Sequence, residues 1–422
     1  MKRLVGQLFA DPAVRWLALA RLLALAGAPL TLWLTLTRLS PAARGFYLVA
    51  VNLVAVGPMF ETGLGTLVVQ LAAHAGADIG MVRSMANRWF AHAALWFAAL
   101  AVLGGVLLLG GRAQQEHVEF LLPWLVVVGS TALYIWLSPR LCTLEGTGYT
   151  VHVQQMRAVQ ALALLCALAL GLSTGRPLLA AAAGSLAQLL VVGTFVFLQR
   201  GYLAGEQSPS AARASRYRQE QGRSARVWIA LTLAPQALTP AVLAARGAVE
   251  GSDLGLHMAL ALAPPVLGIV WLHGRYASFG ARVAAGDVSG FDRAAREAFV
   301  QATLVFIAGA VGVLALASAI PMVLPDAKVP VFSLWSLSAL LTGNFALVAL
   351  QAMLAWARAF ATESFGRPAV IACAVMAAGG IAGGVAAGRA GAAMGYAAAG
   401  LATTLAVAVR FAALRRARLA GA

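Results

Sequence analysis

The sequence predicts an all-α integral membrane protein with about twelve transmembrane helices, arranged as two six-helix bundles. The prediction rests on the composition, on the continuity of the apolar runs and on the distribution of positive charge. Of the 422 residues, 61% are hydrophobic and only 11% are charged, against about 25% charged residues in an ordinary soluble domain. So few charges cannot cover a water-facing surface, which excludes the soluble, disordered and collagen-like classes.

Twelve apolar segments follow one another along the chain. A membrane-spanning helix needs about 20 apolar residues. The runs are continuous rather than alternating, which favours helices over a transmembrane β-barrel. The segments comprise residues 13–37, 46–73, 90–110, 119–141, 156–173, 177–198, 227–247, 254–274, 298–324, 329–357, 368–387 and 391–413.

The formal net charge is +16, which in a soluble protein would suggest nucleic acid as a partner. In a membrane protein, an excess of Lys and Arg marks the cytoplasmic loops. With the N-terminus in the cytoplasm, most of the 31 Lys and Arg residues fall on the cytoplasmic side of the twelve segments. We therefore expect both termini in the cytoplasm and no nucleic-acid partner.

The longest hydrophilic stretch, residues 200–226, separates a bundle at 1–199 from a bundle at 227–422. It is rich in Ser, Ala, Gln and Arg. We interpret it as a flexible basic linker on the anionic lipids of the cytoplasmic surface. Binding of a partner protein is the alternative interpretation.

The two halves resemble each other weakly. Pro29 in segment one falls opposite Pro240 in segment seven, and segments two and eight both contain proline, at Pro58 and at Pro264 and Pro265. Because six is even, the halves share one orientation, so the repeat would be parallel about a pseudo-two-fold axis. Proline-broken helices in corresponding positions point to a transporter's central site, although proline is common in membrane helices generally. We predict hinges at Pro29, Pro240, Pro264 and Pro265.

Arg21 is the best candidate for an anion ligand, because it lies inside segment one. A charge at the bilayer centre costs about 3 kcal/mol on insertion scales, so it usually faces the protein interior or a water-filled cavity. A guanidinium offers a fork of donors that fits a phosphate or diphosphate. A buried ion pair or a snorkelling side chain explains Arg21 equally well. Arg15 shares a broad sector with Arg21 and is a second candidate for the anion site, although an interfacial anchor is the better interpretation of Arg15.

Glu61, in segment two, is the strongest acidic candidate. It could pair with an arginine or take up a proton in a coupled cycle. Asn52 and Gln236 are uncharged polar residues within segments, and we predict that they line a cavity; interhelical hydrogen bonding explains them equally well.

No catalytic signature is found in the sequence: GK[ST], H-E-x-x-H, C-x-x-C and D-x-D motifs do not occur. We therefore predict no catalytic residue, no metal site, no cofactor and no ATP-driven step. Gly379, Gly380, Gly383, Gly384 and Gly388 follow small-xxx-small spacing, which predicts close helix packing. Residues 278–299 are amphipathic, and residues 289–292 have the spacing of a capping box, so an interfacial helix is expected to run into segment nine.

A family resemblance is carried by short motifs in both halves. They lie at residues 41–47, at 60–65 (Phe-Glu-Thr-Gly-Leu-Gly), at 144–146 (Leu-Glu-Gly), at 253–255 (Asp-Leu-Gly) and at 275–280. In these motifs and in its six-plus-six helices, the chain resembles the polysaccharide flippases of the MOP superfamily, the Wzx-like exporters of O-antigen and exopolysaccharide units.

The resemblance implies a protein of the bacterial inner membrane with two lobes that face each other across a cationic cavity and alternate in access. Its substrate would be a polyprenyl-diphosphate-linked oligosaccharide, with H⁺ or Na⁺ as a coupling ion and polysaccharide-assembly proteins as partners. Arg21 would contact the diphosphate, and Glu61 matches the acidic position of the second-helix motif.

Three alternatives remain open. A MATE-like exporter of small organic cations would need acidic cavity residues, whereas this chain offers mainly arginine. A membrane enzyme of glycan assembly would need a clustered acid–base or metal site. A scaffold for such enzymes would use the linker at residues 200–226.

Overall fold

The computed structural model describes residues 12–75, 79–203, 211–273, 285–323, 332–360 and 365–420, together with residues 275, 279, 282 and 283. These residues are almost entirely helical, and no strand occurs among them. The all-α fold class predicted from the sequence is therefore confirmed.

Twelve helices can be followed through the described residues, six in each half of the chain. In the first half they are α1 (Pro12–Arg38), α2 (Pro41–Ala75), α3 (Ile79–Gly104, continued by a π-helical turn at Gly105–Gly110 and by Gly111–Gln115), α4 (Leu121–Gly146), α5 (Thr150–Ser173) and α6 (Pro177–Leu198). In the second half they are α7 (Ala211–Gln236 and Leu238–Arg246), α8 (Ala248–Ala261 and Ala263–His273), α9 (Val288–Val323), α10 (Leu334–Ala359), α11 (residues 366–386) and α12 (residues 389–420), the last two separated by a kink within Gly366–Ala420.

The helices have the length and hydropathy of membrane spans. Within the described residues, eight helical stretches are long and apolar enough to cross a bilayer; one of them is α8 taken across its break, and one is α11 together with α12. The two pieces of α7 together would make a ninth. Large apolar side chains on their outer faces are exposed, among them Leu107, Leu122 and Leu405. The chain is thus a multi-pass helical membrane protein.

The chain divides into two compact units, Met1–Gly222 and Arg223–Ala422. In the first unit α1 packs on α5, α2 and α3 pack on α4, and α5 packs on α6. Glycine allows two of these approaches: a Cβ at Gly171 would lie 2.4 Å from the Cα of Ala180, and one at Gly146 would lie 2.5 Å from the carbonyl oxygen of Val69.

The second unit repeats the helix pairs of the first. The second piece of α7 places Leu238 and Val242 against Gly380 and Gly384 of α11, and both α8 and α9 pack on α10. In each unit, therefore, the first helix packs on the fifth, and the second and third pack on the fourth. This recurrence supports the parallel repeat predicted from the prolines.

α11 and α12 meet along a seam of glycines. A Cβ at Gly383 would lie 2.1 Å from the carbonyl oxygen of Gly391, and a Cβ at Gly395 would lie 2.1 Å from that of Gly379. The turn between the helices contains Gly388 at φ 61°, a left-handed conformation that favours glycine. The close packing predicted from the small-xxx-small spacing is confirmed.

The start of α9 differs from the expected capping box. The carboxylate of Asp287 accepts a hydrogen bond from the backbone N–H of Gly290 at 2.9 Å, so Asp287 rather than Ser289 caps the helix. Asp292, the expected partner within the box, is instead buried in an ion pair. Asp287 can cap the helix because it directly precedes the first helical residue, Val288, and its carboxylate reaches the N–H of the third, Gly290.

The predicted linker at residues 200–226 contains regular structure. A 3₁₀ turn covers Arg200–Leu203, and the first piece of α7 begins at Ala211. The second half of the hydrophilic stretch is therefore helical. The bundle boundaries at 199 and 227 stay a prediction.

Candidate functional site

The candidate site lies in the second unit, where two helices are broken beside prolines. In α8 the first piece ends at Ala261 and the second begins at Ala263. Proline has no N–H and its ring clashes with the carbonyl four residues earlier. Pro264 and Pro265 therefore leave the carbonyls of Leu260 and Ala261 without their helical donors. Beyond the break, the hydrogen bond from Val266 N–H to Leu262 O is long, at 3.5 Å.

A neighbouring helix satisfies one of these carbonyls. The side-chain amide of Asn344, on α10, donates to Ala261 O at 2.8 Å. The hydroxyl of Tyr396, on α12, donates to Asn344 Oδ1 at 3.0 Å. Both side chains are fully buried. Gly343 makes the contact possible, because a Cβ there would lie 2.4 Å from the Tyr396 ring. This chain of hydrogen bonds ties the break in α8 to α10 and α12.

The break in α7 lies beside polar side chains, and fewer of their atoms have hydrogen-bond partners than at the break in α8. Its two pieces meet at an angle of 41°, and Pro240 removes the N–H that would bond to Gln236 O. The Gln236 side chain is nearly buried, and its Oε1 has no hydrogen-bond partner among the described residues; the same holds for the Thr239 hydroxyl. An unpaired buried polar atom costs about 1–3 kcal/mol. Such atoms beside a helix break are candidates for contact with a polar substrate or with water.

The end of α7 is anchored to the turn between α11 and α12. The Arg246 guanidinium donates to Val385 O at 2.9 Å and to Ala386 O. The carboxylate of Glu250 accepts from the backbone N–H of Arg389 at 3.1 Å, and Arg389 pairs with Asp253 at 3.4 Å. Arg246 thus caps the last carbonyls of α11, where a cation is favoured.

His257, one turn before the break in α8, is a structural histidine. Its Nδ1 lies 2.6 Å from Asp253 O, and its Nε2 accepts from the backbone N–H of Ser333 at 3.1 Å. With an acceptor at Nδ1 and a donor at Nε2, the ring is held as the neutral Nδ1–H tautomer.

The opposite end of the second unit carries a buried ion pair. Asp292 on α9 accepts two hydrogen bonds of 2.6 Å from Arg415 on α12. It also accepts one of 3.1 Å from the Trp356 indole on α10, and Arg296 approaches at 3.2 Å. The three helices are thereby joined through one carboxylate, next to the ring of Phe291.

The residues predicted from the sequence are placed as follows. Arg15 is exposed on α1, Asn52 is half-buried on α2, and Gln236 lies at the α7 break. Pro240, Pro264 and Pro265 lie at the two breaks just described. Arg21 and Pro29 belong to α1 and Glu61 belongs to α2, but their side chains are not among those that the structure describes.

Sequence reasoning missed the partners of the α8 break. In the sequence, Asn344 is a single polar residue within an apolar segment, and no pattern marks Tyr396. The available signal was the spacing of Ala261 and Pro265, which predicts a free carbonyl but not the helix that supplies its donor. Glu145, in the motif at residues 144–146, pairs with Arg157 at 2.8 Å.

Known structures share this architecture. A mutant of the Vibrio cholerae MATE transporter VcmN matches with a TM-score of 0.64 and 17% identity, over 99% of this chain and 98% of the other. The lipid II flippase MurJ in an inward closed conformation matches with a TM-score of 0.60 and 13% identity, over 92% of this chain and 86% of the other.

A third similar structure is a MOP superfamily transporter from Pyrococcus furiosus that is described as having a binding pocket of reverse polarity. It matches with a TM-score of 0.50 and 14% identity, over 96% of this chain and 97% of the other. No family model and no curated protein matches the sequence. The chain therefore has the fold of MOP superfamily transporters, and the narrower Wzx-like assignment stays a prediction.

Proposed function

We propose that this chain is a secondary-type transporter that flips a polyprenyl-diphosphate-linked oligosaccharide across the bacterial inner membrane. The oligosaccharide would serve the biosynthesis of cell-surface polysaccharide. The second candidate function for a chain with this fold is the export of small organic cations. The two candidates differ in the charge that the interior must offer.

The observation that carries the proposal is the pairing of the carboxylates with arginines. Among the described residues, each buried or half-buried carboxylate is paired with an arginine: Glu145 with Arg157, Asp253 with Arg389 and Asp292 with Arg415. A cation exporter needs interior carboxylates that are available to its substrate. The interior formed by the described residues, which do not include the Glu61 side chain, offers neutral polar groups instead, and this supports an anionic, hydroxyl-rich substrate.

Four residues would contact the substrate. The guanidinium of Arg21, assisted by Arg15, would hold the diphosphate through paired N–H donors. Asn52 and Gln236 would bond to sugar hydroxyls. The unpaired, buried Oε1 of Gln236 supports that role, because a sugar hydroxyl would supply the donor that the protein does not. The polyprenyl tail would remain in the membrane lipid.

The proline breaks would supply the movement. Alternating access requires two conformations of similar free energy, and a helix bends most readily where its hydrogen bonds are already interrupted. α7 and α8 are interrupted beside Pro240 and beside Pro264 and Pro265, so these helices would bend between the inward and outward states; Pro29 would act likewise in α1. Protonation or Na⁺ binding at Glu61 would drive the cycle.

The test is made in a bacterial strain that lacks this protein. The lipid-linked glycan pool is measured by mass spectrometry, with a glycosidase that cannot cross the membrane to report the leaflet. The strain is complemented with wild type, with Arg21→Ala and with Arg112→Ala. Arg112 is a half-buried residue at the end of α3 and serves as the charge-matched control.

We expect a complete polyprenyl-diphosphate oligosaccharide to accumulate on the cytoplasmic face, with rescue by wild type and Arg112→Ala but not by Arg21→Ala. A truncated glycan would assign the chain to glycan assembly instead. An unchanged pool together with increased sensitivity to cationic drugs would assign it to MATE-like export. Full rescue by Arg21→Ala would remove Arg21 from the anion site.

A further inference from the structure

A small cleft opens on the second unit between the start of α11 and the last turns of α12. It has a volume of about 360 Å³ and is lined by Phe365, Arg367, Pro368, Arg410 and Leu414. It lies apart from the helix breaks of α7 and α8, and neither of its arginines takes part in the proposed flipping. The sequence places both arginines on the cytoplasmic side of the membrane.

Arg367 and Arg410 differ from most other arginines of this unit, because no described residue pairs with them. Arg246, Arg389 and Arg415 are all bonded to carbonyls or carboxylates. Arg367 and Arg410 are exposed and make no ion pair or side-chain hydrogen bond with any described residue. Two guanidiniums that line one cleft repel each other, and the repulsion is relieved by an anion between them.

The backbone adds to this positive field. α11 begins at Gly366, so the first N–H groups of the helix point out of its end without helical acceptors. The partial positive charge of a helix N-terminus favours an anion close by. The two side chains and the helix end therefore act on the same cleft.

Apolar side chains continue from the cleft along the outer surface. Ile371 lies one turn beyond Arg367 on α11 and is 63% exposed, and Val409, next to Arg410 on α12, is 66% exposed. In a membrane these side chains face acyl chains. A soluble anion would gain nothing from them, whereas a lipid would contact the arginines with its headgroup and this surface with its tails.

We propose that the cleft binds the phosphodiester of an anionic phospholipid from the cytoplasmic leaflet. Arg367 and Arg410 would hold the phosphate from two sides, with the acyl chains lying along Ile371 and Val409. Basic pockets at the cytoplasmic ends of membrane helices are suited to anionic headgroups. The bound lipid would link the ends of α11 and α12.

The experiment uses the purified full-length protein and phosphatidylglycerol as the probe. Retained lipid is counted by native mass spectrometry after detergent washing, and affinity is measured by titrating phosphatidylglycerol back. The test variant is Arg367→Gln with Arg410→Gln. The control is Arg293→Gln with Arg416→Gln, which removes the same charge from two other exposed arginines of the unit.

We expect wild type and the control to retain one phosphatidylglycerol that the test variant loses, with an affinity about thirtyfold lower in the test variant, since each arginine contributes about 1 kcal/mol. Equal retention by the test variant, or an equal loss in the control, would overturn the proposal. Displacement of the lipid by millimolar glycerol phosphate would show a site for soluble phosphate rather than for lipid.

A second measurement does not depend on the variants. Photoactivatable phosphatidylglycerol, added to the wild type, should label peptides that contain residues 365–371 or 405–414. Labelling confined to other helices would place the tightly bound lipid elsewhere and refute the assignment.

Discussion

Replacement of Asn344 by leucine tests whether the break in α8 is maintained by a side chain from α10. Leucine has the same number and branching of side-chain heavy atoms but removes two buried hydrogen bonds, the 2.8 Å bond to Ala261 O and the 3.0 Å bond from Tyr396. Side-chain hydrogen bonds between membrane helices average about 0.6 kcal/mol and reach about 1.7 kcal/mol. Because both bonds are lost and two polar groups are left unpaired, we expect a loss of about 1–3 kcal/mol in the free energy of unfolding.

The diagnostic control is Pro265→Ala. Alanine restores an N–H at position 265, which can bond to Ala261 O as in an ordinary helix. Asn344→Leu should therefore cost clearly less in the Pro265→Ala background than in the wild type. The assay is a double-mutant cycle of thermal unfolding in detergent. Equal costs in both backgrounds would refute the view that Asn344 serves the carbonyl freed by Pro265.

Further predictions concern other parts of the chain. Asp292→Asn should lower the free energy of unfolding by about 2–3 kcal/mol. This is somewhat less than the loss for a fully buried ion pair, because Arg415 is 30% exposed. The control Arg296→Gln should have little effect in the same melting assay. Gly383→Ala should lower the free energy of unfolding by about 1–3 kcal/mol through overpacking, because its Cβ would overlap Gly391 O. The control Gly312→Ala should be neutral, because a Cβ there meets nothing within 4 Å. Equal melting temperatures of the two variants would contradict close packing at the glycine seam. Glu61→Gln should alter the pH or sodium dependence of glycan flipping in proteoliposomes, and an unchanged profile would return Glu61 to a structural role.

Much of the fold could be predicted from the sequence because its signals are local. The continuous apolar runs predict the helices, and the small-xxx-small spacing predicts the contact of α11 with α12. The positions of Pro240, Pro264 and Pro265 predict where α7 and α8 are interrupted. Each of these features depends on residues within a few turns of one another.

The partners of these features could not be predicted, because they come from distant parts of the chain. Asp292 has the spacing of a helix cap, yet it pairs with Arg415, 123 residues later. Ala261 receives its donor from Asn344, 83 residues later. A local pattern shows that a charge or a carbonyl needs a partner, whereas the packing of the helices decides which residue supplies it.

The glycine seam has a consequence for how the protein is made. Gly383 and Gly391 are close neighbours in the chain, and contacts of low sequence separation form fastest. The last two helices can therefore pack against each other as soon as both have been synthesised. Leu238 and Val242 of α7, by contrast, are synthesised long before the glycines of α11 against which they pack. The second unit can therefore be completed only by its final hairpin. A chain cut short before residue 366 should leave this face of α7 open to the lipid and become a substrate for membrane quality control.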